Sequence, residues 1–237
     1  MLLVLAGCGP EPAHDTIVVF AAASLKGTFT ELGVQFEKDD PGAAVEFSFA
    51  GSADLVTQLT QGARADVFAS ADTTNMDKAA QAGLLAGAPV AFASNTLTIA
   101  VAPGNPKSIT DFRDLTRPGL SVVLCAPQVP CGAATQRVEQ AAGVDVTPVS
   151  EESSVTDVLN KVSSGQADAG VVYVTDARGA GDKVTAVPFA EAADAVNTYP
   201  VAVLEQSENP GAARRFVDLV TGETGQRVLG EAGFGRP

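Results

Sequence analysis

The sequence predicts an α/β protein of two lobes, each a mostly parallel sheet flanked by helices, with a ligand cleft between them. Three observations predict it. Short apolar strand segments alternate with helical segments from Ile17 almost to the C-terminus. Four strand-to-helix junctions carry Ser or Gly where the helix opens, at Ser24, Ser52, Gly132 and Ser154. Two short segments, 93–96 and 196–199, read as crossovers between lobes. Lobe one then takes residues 16–95 plus 199–237, and lobe two is an insertion over 96–198. Residues 1–15 precede both.

Ile17 to Phe20 is a continuous apolar run, the pattern of a strand buried on both faces. Three alanines follow, and Ser24 is a candidate N-cap for the helix that runs to about Lys38. Such a junction leaves first-turn N–H groups and the positive end of a helix dipole beyond the strand end. Together they form an anion site that needs no cationic side chain. The simpler reading of any one such serine is capping alone. The second unit runs from the strand Val45–Phe49 through Gly51 and Ser52 into the helix bearing Leu55, Val56 and Leu59.

Val67–Ser70 reads as a short strand, 74–83 as a helix and Leu97–Ala102 as an extended run. The third unit leads from the strand Ser121–Leu124 through a cysteine loop to a helix from about Ala133. The fourth places Ser154 before the helix Val155–Val162, with Asp157 at capping-box spacing. Ala169–Val174 is a buried strand whose one side-chain polar atom is the Tyr173 hydroxyl. Val184–Val187 and Tyr199–Leu204 read as strands, and Pro210–Val220 and Gly225–Glu231 as closing helices.

Composition narrows the function. The net charge of −13 argues against nucleic acid and against anionic lipid as partners. It also sets a long-range field against any anion, so an anion site here must depend on short-range dipoles. The one histidine, His14, precedes the first strand. Ser-His-Asp, Cys-His and most zinc chemistry need a histidine within the fold. A hydrolase using Ser24 or Cys131 as nucleophile is weakened further by the absence of GxSxG. Asp66, Asp72 and Asp176 read as turn formers or caps rather than a metal cluster. Arg64 and Arg137 are conceivable anion clamps, with Arg137 read as a solvated helix face.

Three cysteines remain. Cys8 closes Leu5-Ala6-Gly7-Cys8, which resembles the tail of a bacterial lipoprotein signal with Cys8 as the lipidated residue. A positive n-region is missing from the start. On this reading residues 9–15 are a tether and the protein sits outside the cytoplasmic membrane, held by a lipid anchor only. Cys125 and Cys131 are then expected to form a disulfide across the loop containing Pro127 and Pro130; the alternative is two reduced thiols. A ring this small contributes about 2 kcal/mol, and its larger effect is to stiffen the loop before Gly132.

The stretches FAAASL at 20–25, Ala-Gly-Ser at 50–52, ADVFASAD at 65–72, Val129-Pro130-Cys131-Gly132, SSVTDVL from Ser153, and GVVY at 170–173 with Asp176-Ala177 resemble the substrate-binding proteins of bacterial molybdate ABC importers. The resemblance runs from about Thr16 to Phe234. It implies the two-lobed fold of periplasmic binding proteins and a tetrahedral oxyanion held between the lobes by hydrogen bonds from neutral groups. It also implies that molybdenum is bound as molybdate, without direct metal ligands and without a cofactor. Matched residue by residue, Ser24 and Ser52 would supply hydroxyl and backbone donors, Cys131 and Val155 backbone N–H groups, and Tyr173 its hydroxyl. Two departures stand out: Cys131 replaces a small residue such as Ala, and Ser153-Ser154 replaces acidic residues. The implied function is capture of molybdate or tungstate by a monomer and delivery to a membrane permease. A binder of sulfate, thiosulfate or another small anion is the alternative.

Overall fold

The computed structural model describes residues 15–237; the expected tether, His14 and the expected lipidation at Cys8 lie outside the described residues. Two five-stranded sheets form the frame, one per lobe. The first is ordered β2-β1-β3-β10-β4, from β1 (Asp15–Ala22), β2 (Ala43–Ala50), β3 (Val67–Ala69), β4 (Val90–Asn95) and β10 (Asn197–Val203). The second is ordered β7-β6-β8-β5-β9, from β5 (Leu97–Val101), β6 (Val122–Cys125), β7 (Ser150–Glu152), β8 (Ala169–Tyr173) and β9 (Thr185–Val187).

Both sheets are mixed, and the expected mostly parallel arrangement is corrected in one respect. β1 pairs parallel with β2 and β3, and β6 pairs parallel with β7 and β8. However, β10 runs antiparallel to both β3 and β4, and β5 runs antiparallel to both β8 and β9. The reason is topological. Strands such as β1, β3 and β8 end at the cleft. β4 also ends there, and only Thr96 separates it from β5 in the other sheet. A strand that enters a lobe at the cleft must run away from it, so β5 and β10 are the reversed members.

Helices α1 (Lys26–Asp39), α2 (Ser52–Thr60), α3 (Thr73–Gln81), α7 (Pro210–Thr221) and α8 (Glu223–Ala232) accompany the first sheet. Helices α4 (Pro130–Ala142), α5 (Val155–Ser163) and α6 (Val174–Ala180) accompany the second. The two cores differ in kind. Lobe one packs aromatic rings edge to face, with Phe29, Phe36 and Phe216 at centroid distances of 5.6–5.8 Å. Lobe two is filled mainly by valine and alanine from β6, β8, α4 and α5. Close helix–sheet contact there follows from small side chains.

Several boundaries differ from the sequence reading. β4 had no counterpart in it; its Val90 and Ala91 are exposed at a sheet edge, so the apolar pattern of a buried strand is missing. α4 begins at Pro130 rather than Ala133, because proline at the first helical position gives up only an N–H that has no helical acceptor. Residues 150–152 form the edge strand β7.

Asp66 and Asp72, from the ADVFASAD stretch, are structural. Asp66 accepts the Val18 N–H at 2.7 Å, the Ser207 hydroxyl at 2.6 Å and the Glu208 N–H at 3.0 Å, joining β1 to the start of α7. Asp72 caps α3 by accepting the Asn75 N–H at 2.8 Å. Among the described residues no His, Cys, Asp or Glu cluster is suited to a metal ion, and no helix is long and apolar enough to cross a membrane.

Candidate functional site

The site assembles from five chain segments. β1 runs into a tight 3-10 turn, Ala23–Leu25, before α1 begins, so Ser24 lies inside the turn and caps nothing. Its hydroxyl is 3.0 Å from that of Tyr199 on β10. Ser52 is the first residue of α2, after Gly51 at the cap. The Ser52 Oγ accepts the Ala71 N–H at 3.0 Å and makes no capping bond. Ser24 is therefore not the expected N-cap, and capping does not account for Ser52; the Ser52 hydroxyl proton is left for another partner, whereas between Ser24 and Tyr199 either hydroxyl can donate.

From lobe two, Cys131 is the second residue of α4 and Val155 the first of α5. N–H groups in a first helical turn have no intrahelical acceptor. Ser154 does cap α5, its Oγ accepting the Asp157 N–H at 3.2 Å, as its spacing suggested. Tyr173 ends β8, and its hydroxyl accepts a hydrogen bond from Asn197 at 2.7 Å.

Ser24, Ser52, Cys131, Val155 and Tyr173 all line one cavity between the lobes, together with Ala22, Ala23, Gly51, Ala71, Val129 and Pro130. None of these lining residues carries a charge. The cavity encloses about 10 Å³, close to the minimum that holds one water, so a larger ligand enters only when the lobes part. Ser24 also lines an adjoining groove of about 1000 Å³, with Thr175 and Asp176 across from it.

The loop before Cys131 is tightly built. The Cys125 and Cys131 sulfurs lie at bonding distance, 1.99 Å, which ties the end of β6 to the first turn of α4. A Cβ on Gly132 would lie 2.0 Å from the Ala126 carbonyl oxygen, so only glycine lets the helix start this close to the strand end. These constraints hold the Cys131 N–H in place.

Electrostatics favour neutral donors. Burial pushes the Tyr173 phenol well above its ordinary value, reinforced by Tyr199 and the carboxylates of Asp72 and Asp176, so it stays protonated. Burial likewise raises Asp176 to about 7, partly opposed by the Tyr173 N–H that its carboxylate accepts at 3.2 Å. Arg64 pairs with Glu208 on the surface, away from the cavity. Arg137 is not simply a solvated face: its Nη2 donates to the Asn197 Oδ1 at 2.6 Å.

Asn95, Asn197 and Tyr199 belong to this region and escaped the sequence reading as functional residues. A signal existed for the asparagines. They stand at the two crossovers, where a buried polar residue must find partners in both lobes. Gly51 faces lobe two so closely that a Cβ there would lie 2.0 Å from the Ser153 carbonyl oxygen.

Gly51→Ala should therefore hold the lobes apart. The expected result is a larger radius of gyration by small-angle scattering with unchanged helix content; an unchanged radius would remove Gly51 from closure. A second expectation concerns pH. Folded Asp176 keeps its proton up to about pH 7, whereas the unfolded chain releases it near 3.8. The stability this group supplies is complete below that lower value and is lost as pH rises through about 7. Asn keeps an acceptor for Tyr173 N–H and needs no proton. Asp176→Asn should thus raise Tm more at pH 8 than at pH 5, and equal shifts at both would contradict the assignment.

Comparison with known proteins agrees with this geometry. The family model for bacterial extracellular solute-binding proteins matches residues 17–235. The molybdate-binding protein ModA of Mycobacterium tuberculosis is 59% identical over 229 residues, covering 97% of this chain and 88% of that protein. The periplasmic molybdate-binding protein of Azotobacter vinelandii superposes with a TM-score of 0.81 at 23% identity, covering 93% of this chain and 99% of that one. The sulfate-binding protein SubI of M. tuberculosis superposes with a TM-score of 0.79 at 21% identity, covering 92% and 86%. The fold is thus common to binders of both anions. The chain belongs to the bacterial extracellular solute-binding proteins, within the family of molybdate-binding proteins.

Proposed function

We propose that this protein captures molybdate, and tungstate with it, outside the cytoplasmic membrane and hands it to the permease of an ABC importer. The observation that carries the reading is the uncharged cavity on which helix starts from both lobes converge. The 59% identity to a molybdate-binding protein supports the choice of anion. In this reading Ser24, Ser52 and Tyr173 donate hydroxyl hydrogens, and Ser24, Ser52, Cys131 and Val155 donate backbone N–H groups. Lobe one is 16–95 plus 199–237, lobe two is 96–198, and they close on the ligand.

The chemistry is that of binding, not of turnover. A dianion accepts several charge-assisted hydrogen bonds, each contributing about 1.5–3 kcal/mol net. The dipoles of α2, α4 and α5 point their positive ends at the same place. A disulfide between Cys125 and Cys131 keeps one of these donors in register, in keeping with an oxidising compartment. Anchoring through a lipidated Cys8 and action as a monomer complete the proposal. Sulfate is the second reading, because SubI shares the fold; the two anions differ chiefly in size.

The discriminating test is a thermal-shift and calorimetric panel of molybdate, tungstate, sulfate and phosphate. Molybdate and tungstate should raise Tm and bind with clear heats, and a shift with sulfate alone would overturn the proposal. Ser52→Ala should weaken molybdate binding at least tenfold, about 1.5 kcal/mol for a charge-assisted bond. Unchanged affinity would exclude Ser52 from the site.

A further inference from the structure

We propose that Asn197 is a positioning residue for oxyanion binding: it fills the acceptor side of the Tyr173 hydroxyl and so makes that hydroxyl a donor. The proposal rests on the reading of Tyr173 as a ligand-binding residue.

Asn197 opens β10, where the chain crosses back into lobe one, and it is only 3% exposed. Its two amide N–H groups serve three acceptors, the Tyr173 hydroxyl at 2.7 Å, the Ala71 carbonyl at 3.0 Å and the Pro130 carbonyl at 3.3 Å, so one of them is shared. Its amide oxygen accepts from Arg137 at 2.6 Å. Arg137, Tyr173 and Pro130 belong to lobe two and Ala71 to lobe one. The full set is met only when the lobes are together.

The direction of each bond is fixed by chemistry. A guanidinium can only donate, so the Asn197 oxygen must face Arg137. Two backbone carbonyls can only accept, so the Asn197 NH2 must face them. The same NH2 then faces Tyr173, and the phenol oxygen is obliged to accept. A phenol has one good in-plane acceptor direction beside its own O–H. With that direction filled, the proton turns away from Asn197, to the side where the cavity that Tyr173 lines and the neighbouring Tyr199 lie. Ala71 applies the same device to Ser52. Its N–H fills an acceptor site on the Ser52 Oγ, while its carbonyl receives Asn197. Asn197 thus meets one hydroxyl of the site directly, that of Tyr173, and is linked through a single residue, Ala71, to a second, that of Ser52.

This arrangement bears on selectivity. Hydroxyls can ordinarily accept as well as donate, which would let a protonated oxyanion bind. Asn197 and Ala71 remove that freedom from Tyr173 and Ser52. At these two hydroxyls the wall can only donate, which suits a fully ionised anion such as molybdate and disfavours hydrogen phosphate. Asn197 acts through Tyr173, and its loss should cost little once Tyr173 has lost its hydroxyl.

The test is a double-mutant cycle read by calorimetry with molybdate and with phosphate, melting temperature checking that each variant folds. Asn197→Ala and Tyr173→Phe should each weaken molybdate binding about tenfold, and the double variant no more than about twentyfold, because coupled residues do not add. Asn197→Ala should also narrow the molybdate-to-phosphate ratio, which mere loosening of the fold would not do. Arg137→Gln, at an exposed side chain, should weaken binding about threefold and nothing further in the Asn197→Ala background. If Asn197→Ala does not fold, Arg137→Gln with Tyr173→Phe completes the cycle. Wild-type affinity in Asn197→Ala, or losses that multiply to about a hundredfold, would overturn the proposal. If Tyr173→Phe alone binds like wild type, the ligand role of Tyr173 fails and the proposal with it. That outcome is distinct from the first two, in which Tyr173→Phe still weakens binding.

Discussion

Hydrogen-bond donors from two lobes converge on one cavity with no charge in its wall, and the rest of the molecule is arranged around that convergence. β1, β3 and β8 end there, and α2, α4 and α5 start there. The two strands that run the other way, β5 and β10, are the ones that begin at a crossing between lobes. Polar residues cluster where the crossings pass, and each is met from both sides. Asn95 and Asn197 are register partners on β4 and β10, and each bonds to a side chain of lobe two.

The acidity of the molecule makes sense of the choice of donors. With a net charge of −13, a cationic side chain in the cleft would be drawn into ion pairs with the protein's own carboxylates. Arg64 and Arg215 show that fate, pairing with Glu208 and with Asp40. Backbone N–H groups and hydroxyls are immune to it. Their orientation is held by the chain itself, through Gly132 packed on Ala126, the Cys125–Cys131 link and the Ala71 peptide. Preorganised neutral donors in a small closed cavity act at low effective dielectric, where each is stronger than at a wet surface.

Much of this was legible from the amino acids. Buried strands such as AGVVY announced themselves by continuous apolar runs, and the Ser154–Asp157 cap by its spacing. The five expected site residues line one cavity, because strand ends followed directly by helix starts must gather at the same edge of a sheet. What stayed hidden depended on distant partners. Ser24 and Ser52 look like caps locally, yet their hydroxyls answer to Tyr199 and Ala71, far along the chain. Arg137 looks like a surface residue until Asn197 arrives beside it from 60 positions away. The mixed direction of the sheets likewise follows from where the chain crosses, which no local pattern encodes.

A crystal structure of the protein grown with molybdate tests the central claim most directly. The account predicts a tetrahedral anion enclosed between the lobes, its oxygens about 2.6–3.2 Å from the hydroxyls of Ser24, Ser52 and Tyr173 and the N–H groups of Cys131 and Val155, with no cation in contact. An anion seated against an arginine or lysine, or bound to one lobe alone, would contradict it.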